Sequence, residues 1–148
     1  MLKVLFLCTG NSCRSQMAEG WARQLKSDVI EAYSAGVDPH GIDPRAVAAM
    51  AEAGVDISGQ RSKDVLELMD VPFDHVVTLC GGAAETCPVF PGETRRLHAG
   101  FDDPPSLAAN ATSEDEAMSH YRRVRDEIRT WVGTLPEGLQ DGAAGEQP

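Results

Sequence analysis

Short apolar runs and longer amphipathic segments alternate along this chain, which is the pattern of strands followed by helices. Residues 2–8 contain the first run, and their apolar centre predicts a buried parallel strand. Residues 15–26 follow with Met17, Trp21 and Leu25 at helical spacing, which predicts a helix with one apolar face. The later runs predict strands at 29–34, 74–79 and 95–98, and helices at 45–52, 63–69 and 113–132.

The alternation of strands with helices predicts an α/β domain, a four-stranded parallel sheet with helices on both faces. Sites in such sheets lie at the carboxyl ends of the strands. Asp43 is typical of a helix cap before Pro44, and Gly54 is typical of a helix stop. The last residues are rich in Pro, Gly and Gln, so we predict one domain over residues 1–135 and a disordered tail over 136–148.

The chain has 148 residues and a net charge of −10. This acidic balance disfavours nucleic acid and anionic membranes as partners. No apolar run approaches the roughly 18 residues of a membrane-spanning helix, and the N-terminus lacks the pattern of a cleavable signal. We therefore expect a cytoplasmic protein, whose four cysteines serve catalysis, redox cycling or metal binding rather than a static disulfide scaffold.

The turn between the first strand and the first helix has the sequence Cys8-Thr9-Gly10-Asn11-Ser12-Cys13-Arg14-Ser15. Backbone N–H groups of such a turn, at a helix N-terminus, can bind a tetrahedral oxyanion, and Arg14 adds a planar fork of donors. The same positive field favours a Cys8 thiolate, and Ser15 can donate a hydrogen bond to its sulfur. The turn predicts covalent attack by Cys8 on a phosphate-like centre. A turn that merely buries a structural cysteine is the weaker alternative, because the strand, turn and helix context also fits the chemistry.

The spacing C-x5-R-S so close to the N-terminus resembles the low-molecular-weight tyrosine phosphatase fold, which hosts phosphatases and thioredoxin-coupled arsenate reductases. The chain is closely similar to the arsenate reductases over residues 2–133. The matching strings are CTGNSCRSQMAEGW, Ser34-Ala35-Gly36, VVTLC with a further cysteine, FDDP and VRDEI. The resemblance implies reduction of arsenate to arsenite in arsenic detoxification, with thioredoxin as the electron donor, and we expect a monomer.

Cys80 and Cys87 enclose a segment that begins with two adjacent glycines. The pair can be read as two small buried hydrophobes, as a zinc site or as a redox pair. A zinc site is disfavoured because no further Cys or His stands at ligand spacing nearby. A disulfide needs Cα atoms within about 7 Å of each other. The glycines favour the redox interpretation, because local refolding of a glycine-containing segment can bring Cys80 close first to Cys8 and later to Cys87.

In the reductases that the chain resembles, these three positions form a relay. The resemblance implies that Cys8 attacks arsenate, and that Cys80 then attacks Cys8 with release of arsenite. Cys87 attacks Cys80 in turn, and thioredoxin reduces the resulting Cys80–Cys87 disulfide. Cys13 has no role in that relay, and we expect it to pack the loop.

The resemblance also assigns supporting residues. Asp103, the aspartate immediately before the first proline of FDDPP, matches the general acid, whereas we expect Asp102 to be solvated. Asn11 and Ser34 match positions that hold the oxyanion loop.

Some relatives bind a potassium ion beside the loop, with oxygen ligands from the segment that matches residues 60–65. In this chain Lys63 or Arg61 can replace the ion. We therefore expect no metal and no cofactor, and the potassium site stays an open question at this stage.

Other functions stay open as well. Phosphatases of this fold usually carry aromatic residues around the pocket, including one just after the Asp-Pro, where this chain has Pro105 and Ser106. Relatives that use a low-molecular-weight thiol with a glutaredoxin-like partner generally lack the complete cysteine relay, so Cys87 argues against that chemistry. An arsenite or metal sensor without catalysis would show no turnover.

Overall fold

The computed structural model describes residues 1–81, 90 and 93–140. In chain order the elements are β1 (Leu2–Cys8), α1 (Arg14–Leu25), β2 (Ile30–Gly36), α2 (Pro44–Glu52), a 3₁₀ helix (Val65–Leu68), β3 (His75–Thr78), β4 (Arg95–His98), α3 (Pro104–Ala108) and α4 (Glu114–Val132). Each predicted strand is present: β1 and β4 have the predicted bounds, and the ends of β2 and β3 are shifted by one or two residues. No helix in this part of the chain combines the length and the apolar character needed to cross a membrane.

The strands form one parallel sheet with the order β2-β1-β3-β4, which confirms the predicted four-stranded parallel sheet. Cys8, the last residue of β1, pairs with Gly36 of β2, and Leu7 pairs with Thr78 of β3. The carboxyl ends of the two central strands therefore lie side by side. Cys80 follows β3 by two residues and comes to the same edge of the sheet as Cys8.

The central strand β1 is buried on both faces. Val4 and Phe6 belong to a core formed with α1, α2 and α4, whereas Leu5 and Leu7 belong to a second core on the other face of the sheet. That second core includes Val65, Phe73 and Phe90. Because close packing on both faces holds the backbone of β1 in place, the position of Cys8 at the end of the strand is also well defined.

Three local predictions differ from the structure. Leu25 is 38% exposed and does not join the buried face of α1, because it is the last residue of the helix. The helix predicted at 63–69 is a shorter 3₁₀ helix that begins at a capping box of Asp64 and Glu67. The sequence pattern did not predict α3, because Asp-Pro-Pro reads as a turn, although prolines fit the first helical positions where no N–H is needed.

The packed chain continues past residue 135. Leu135 and Leu139 are both buried in the core with α4, and residues 137–140 are helical. The spacing of four residues places the two leucines on one face of that turn. The predicted start of the tail at residue 136 is therefore too early. Residues 141–148 lie outside the described part of the chain.

Candidate active site

The loop between β1 and α1, residues 9–13, turns its backbone carbonyl groups outward. They accept hydrogen bonds of 2.9 to 3.0 Å from outside the loop: Thr9 O from Asp38 N, Gly10 O from His40 N, Asn11 O from Gln16 Nε2, Ser12 O from Asp43 N, and Cys13 O from Met17 N. In a trans peptide the N–H and C=O groups point in opposite directions. The N–H groups of residues 9–14 donate to no protein acceptor within residues 1–81, 90 and 93–140. The inner side of the loop is therefore a nest of donors suited to an anion.

Asn11 lies at the centre of this loop in the left-handed conformation, with φ of 47°. Asparagine tolerates that conformation better than most residues. The side chain is buried; its Nδ2 donates to Ser15 Oγ and its Oδ1 accepts from Lys63 N, both at 2.9 Å. Gly36 packs against the same stretch, where an added Cβ would lie 2.7 Å from Thr9 O. These contacts determine the shape of the loop.

Cys8 is 4% exposed and lies beside Cys80. A hydrogen bond between the two thiols and then burial raise the pKa of Cys8, whereas the charge of Arg14 and the backbone N–H of Ser15 lower it. The neighbouring thiol and burial therefore oppose the predicted effect of Arg14, which does favour the thiolate of Cys8. Thr9 Oγ1 lies 3.2 Å from Cys80 Sγ and holds the second sulfur at the loop. Because the thiols are in contact, ionisation of one disfavours ionisation of the other.

Arg14 connects the loop to the segment before α3. Its Nη1 donates to Phe101 O at 2.9 Å, and its Nη2 lies 3.3 Å from Asp103 Oδ1. Its buried Nε has no partner in the described part of the chain and remains available to an oxyanion. The contact with Arg14 places Asp103 at the pocket. Asp102 is instead 64% exposed and bonds to Arg123 on α4, at 2.9 Å.

Two serines contribute to the site through different contacts. Ser15 donates to Cys8 as predicted, through its backbone N–H, which lowers the pKa of Cys8, and its hydroxyl accepts a hydrogen bond from Asn11. Ser34 donates through Oγ to Glu19 Oε1 at 2.5 Å, and the buried Glu19 also pairs with Arg23 Nη2 at 2.6 Å. The Ser34 hydroxyl thus fixes α1, which begins at the loop, through Glu19. The role of Ser34 in holding the loop stays a prediction.

Lys63 and Arg61 take different positions at the proposed cation region. Lys63 Nζ donates to Arg61 O at 2.8 Å; burial lowers the pKa of Lys63, and the nearby Glu19 opposes this shift. The Arg61 guanidinium lies outward and pairs with Glu67 at 2.9 Å. Among the described residues there is no cluster of three or more His, Cys, Asp or Glu that could hold a metal ion.

Cys13 is a buried residue at the start of α1, 2% exposed. Burial is the main cause that raises its pKa, and the neighbouring Asp43 carboxylate adds to it. Asp43 in turn accepts a hydrogen bond of 2.5 Å from Tyr121 on α4. Cys13 is thus a buried thiol beside Asp43 and Tyr121, between the loop and α4.

Sequence reasoning missed Gln16 and the contact between Thr9 and Cys80. Gln16 is a polar residue in the first turn of α1, which is buried. Because a fully buried amide needs hydrogen-bond partners, its place in the sequence could have indicated a structural role. The contact between Thr9 and Cys80 joins residues that are 71 positions apart, and no local pattern indicates it. Cys87 lies outside the described residues.

A parallel α/β fold with an anion-binding loop, an arginine and a cysteine at the end of its first strand defines a class of enzymes that attack oxyanions through sulfur. The sequence profile of the family described as "Low molecular weight phosphotyrosine protein phosphatase" matches residues 3–143. The chain belongs to this family.

Within the family, the chain is similar to bacterial proteins named arsenate reductase. It is 52% identical to the arsenate reductase of Bacillus subtilis over 129 residues, which is 84% of this chain and 88% of the relative. It is 48% identical to the arsenate reductase of Halalkalibacterium halodurans over 134 residues, which is 90% of this chain and 94% of the relative.

Solved structures show the same fold. One is an arsenate reductase in its phosphate-binding state, with a TM-score of 0.71 and 33% identity; 91% of this chain and 96% of that chain are covered. Another is the YwlE arginine phosphatase of Geobacillus stearothermophilus, with a TM-score of 0.72 and 26% identity, which covers 100% of this chain and 99% of that one. The fold therefore serves both a reductase and a phosphatase.

Proposed function

We propose that this chain reduces arsenate to arsenite through a covalent Cys8–arsenic intermediate and takes its electrons from thioredoxin. One observation carries the proposal: the Cys80 sulfur lies at the anion-binding loop, 3.2 Å from Thr9 Oγ1, where it interacts with the Cys8 thiol. A single thiol suffices for phosphoryl transfer, whereas reduction needs a second thiol that can form a disulfide with the first. The identity of about one half with proteins named arsenate reductase supports the same assignment.

Arsenate binds at the inner side of the loop. The N–H groups of residues 9–14 and the positive end of α1 surround its oxygen atoms, and Arg14 Nε adds a charged hydrogen bond. This local field lets a chain with a net charge of −10 hold an anion. We also propose that the protein acts as a monomer, since β1, α1 and the segment before α3 of the same chain supply Cys8, Arg14 and Asp103.

The Cys8 thiolate attacks the arsenic atom, and a sulfur–arsenic bond replaces an arsenic–oxygen bond. Arg14 and the Ser15 N–H, which lower the pKa of Cys8, favour the thiolate that this step requires. Asp103, held beside Arg14, gives its proton to the departing oxygen, which leaves as water. The arsenic is still pentavalent at this point.

Reduction occurs when Cys80 attacks the sulfur of Cys8. A sulfur–sulfur bond forms, the sulfur–arsenic bond breaks, and its electron pair remains on arsenic, which leaves as arsenite. The two thiols together lose two electrons and arsenic gains two. The thiol contact and the Thr9 hydroxyl, 3.2 Å from Cys80 Sγ, favour this step because they keep the attacking sulfur close.

Regeneration of the Cys8 thiol requires that the disulfide be transferred from the pocket to a site that an external reductant can reach. We propose that Cys87 attacks Cys80, which frees Cys8 and forms a Cys80–Cys87 disulfide. The dithiol of thioredoxin then reduces this disulfide by exchange. Cys87 lies outside the described residues, so this step rests on the sequence and on the family resemblance.

We propose that the chain needs no potassium ion. The half-buried Lys63 ammonium lies close enough to Glu19 for the carboxylate to favour its charged form, which offsets part of the effect of burial. A positive charge at this place does the electrostatic work that a monovalent cation would do. Activity that is equal in sodium and potassium buffers is the expected result.

A weak phosphatase activity is the second candidate. The donor nest, Arg14 and Asp103 suffice for attack on a phosphate ester, and a structural neighbour at 26% identity is named an arginine phosphatase. The segment after Asp103 offers prolines and a serine instead of an aromatic side chain that could stack on phosphotyrosine. We therefore expect slow hydrolysis of small aryl phosphates.

The direct test is arsenate-dependent oxidation of NADPH in the presence of thioredoxin and thioredoxin reductase, repeated with glutathione and glutaredoxin. We expect turnover with the first system and little with the second. Cys8→Ser should abolish both arsenate reduction and phosphate-ester hydrolysis, since a serine hydroxyl without a base is a far weaker nucleophile. Arsenate reduction by folded Cys8→Ser protein would refute the mechanism.

A further inference from the structure

We propose that Gln16 is a positioning residue of the oxyanion loop, which fixes the peptide between Asn11 and Ser12 so that the Ser12 N–H faces the bound oxyanion. The carbonyl of Asn11 and the N–H of Ser12 belong to one planar peptide and point in opposite directions. A donor that holds the carbonyl outward therefore holds the N–H inward. This inference rests on the proposed function only for the identity of the oxyanion as arsenate.

The carbonyl of Asn11 differs from its neighbours in the loop. Backbone N–H groups hold the carbonyls of Thr9, Gly10, Ser12 and Cys13. Within residues 1–81, 90 and 93–140, the only donor to the carbonyl of Asn11 is a side chain, Gln16 Nε2, at 3.0 Å. The position of this one peptide thus depends on a residue that can be replaced without changing the backbone.

Gln16 is itself held on all sides. Its side chain is fully buried; Nε2 donates to Asn11 O at 3.0 Å and to Arg61 O at 3.2 Å, while Oε1 accepts from Gln60 Nε2 at 2.7 Å. The same Gln60 Nε2 donates to the backbone carbonyl of Gln16 at 3.1 Å. Since two carbonyl groups can accept only from the amide nitrogen, this set of partners allows one orientation of the amide.

The location of Gln16 in α1 also points to this role. It is the third residue after Cys13, the N-cap, where a glutamine usually reaches back to the backbone N–H of the cap. Here the amide reaches further, to the carbonyl two residues before the cap. The side chain therefore joins the start of α1 to the centre of the loop and to the segment at Arg61.

Gln16→Met tests the inference, because methionine has a similar length and volume but cannot donate. The Asn11 carbonyl would lose its partner, and its peptide could turn the Ser12 N–H away from the anion. A lost hydrogen bond to a charged ligand weakens affinity by about 10- to 100-fold. Gln24→Met is the matched control, since Gln24 is exposed on the same helix.

The measurements are the dissociation constant for inorganic phosphate by calorimetry and, separately, kcat and KM for arsenate. For Gln16→Met we expect phosphate binding about 10- to 100-fold weaker and a rise in KM together with a fall in kcat. Gln24→Met should match the wild type in both. Gln60→Met, which removes an anchor of Gln16 but leaves the contact with Asn11, should give a smaller loss of phosphate affinity.

Phosphate affinity equal to that of the wild type in folded Gln16→Met protein would overturn the inference. If Gln16→Met does not fold, Gln60→Met decides, and unchanged phosphate binding in that variant overturns the inference equally. A wild-type protein that binds phosphate but does not reduce arsenate would refute the proposed function alone. The dependence of phosphate binding on Gln16 would still be measurable in that case.

Discussion

Asp103→Asn should lower kcat for arsenate reduction by about 10²- to 10⁴-fold, the usual contribution of a general acid. The amide keeps the shape of the carboxyl group. Its oxygen can face Arg14 Nη2, and its NH2 group can donate to Ser106 Oγ, which lies 2.6 Å from Asp103 Oδ2. The amide has no proton to give to the departing oxygen. The chemical step therefore slows while the pocket keeps its shape.

The same substitution should change the free energy of unfolding by less than about 1 kcal/mol. Arg14 Nη2 and Asp103 Oδ1 are 3.3 Å apart, but the Asp103 side chain is 39% exposed, so solvent screens most of this attraction. Asp103 is the N-cap residue of α3 and makes no side-chain capping bond that the substitution could remove. A large decrease in kcat together with a small change in the free energy of unfolding would identify Asp103 as the general acid.

Asp102→Asn is the matched control. Asp102 pairs with Arg123 at 2.9 Å and is 64% exposed, so its substitution removes a comparable surface ion pair outside the pocket. Rapid-quench measurement of arsenite release, with thermal unfolding of each variant, separates rate from stability. We expect Asp102→Asn to resemble the wild type in both. Equal and small losses of rate in the two variants would show that Asp103 is not the acid.

Substitutions of Cys80 and Cys87 test the individual steps of the relay. Cys80→Ser should abolish multiple turnover of arsenate and keep slow aryl phosphate hydrolysis, because the pocket remains; loss of both activities in folded protein would contradict this. Cys87→Ser should release about one arsenite per enzyme and stop as a Cys8–Cys80 disulfide that thioredoxin reaches poorly. Non-reducing peptide mapping after alkylation would identify that linkage, and normal turnover would argue against the relay. Cys80→Ala should shift the alkylation of Cys8 by iodoacetamide to lower pH, because it removes the hydrogen bond and the charge that raise the Cys8 pKa. An unchanged midpoint in the mass-spectrometric titration would contradict that cause.

The sequence predicted the sheet and the meeting of Cys8 with Cys80 because both follow from short-range rules. An apolar run that ends in Cys8 and another that ends just before Cys80 are readable one strand at a time. Carboxyl ends of parallel strands share one edge of the sheet, so the two thiols had to converge. Asp43 as a helix cap is local in the same way, since its side chain accepts from Arg45 N in the first turn of α2.

Contacts between distant segments were beyond such rules. The hydroxyl of Ser34 could reach the loop or α1, and only the packing of β2 against α1 determines that it bonds to Glu19. The pKa of Cys8 likewise depends on the balance between a neighbouring thiol, burial and Arg14, and only Arg14 is apparent from the local sequence. The extension of the core to Leu139 was obscured by the polar composition around it.

We propose that the second sulfur, rather than the oxyanion loop, determines whether this chain reduces or hydrolyses its substrate. A covalent adduct on Cys8 can lose its oxyanion when water attacks the central atom, which is hydrolysis, or when a thiol attacks the Cys8 sulfur, which is reduction. The second course needs a central atom that accepts the electron pair, as pentavalent arsenic does and phosphorus does not. Cys80 interacts with Cys8 and lies 3.2 Å from the Thr9 hydroxyl. Its thiol is therefore positioned to attack the Cys8 sulfur of the covalent adduct, in competition with attack by water on the central atom. The loop, Arg14 and Asp103 therefore suit either reaction, and the end of β3 favours reduction.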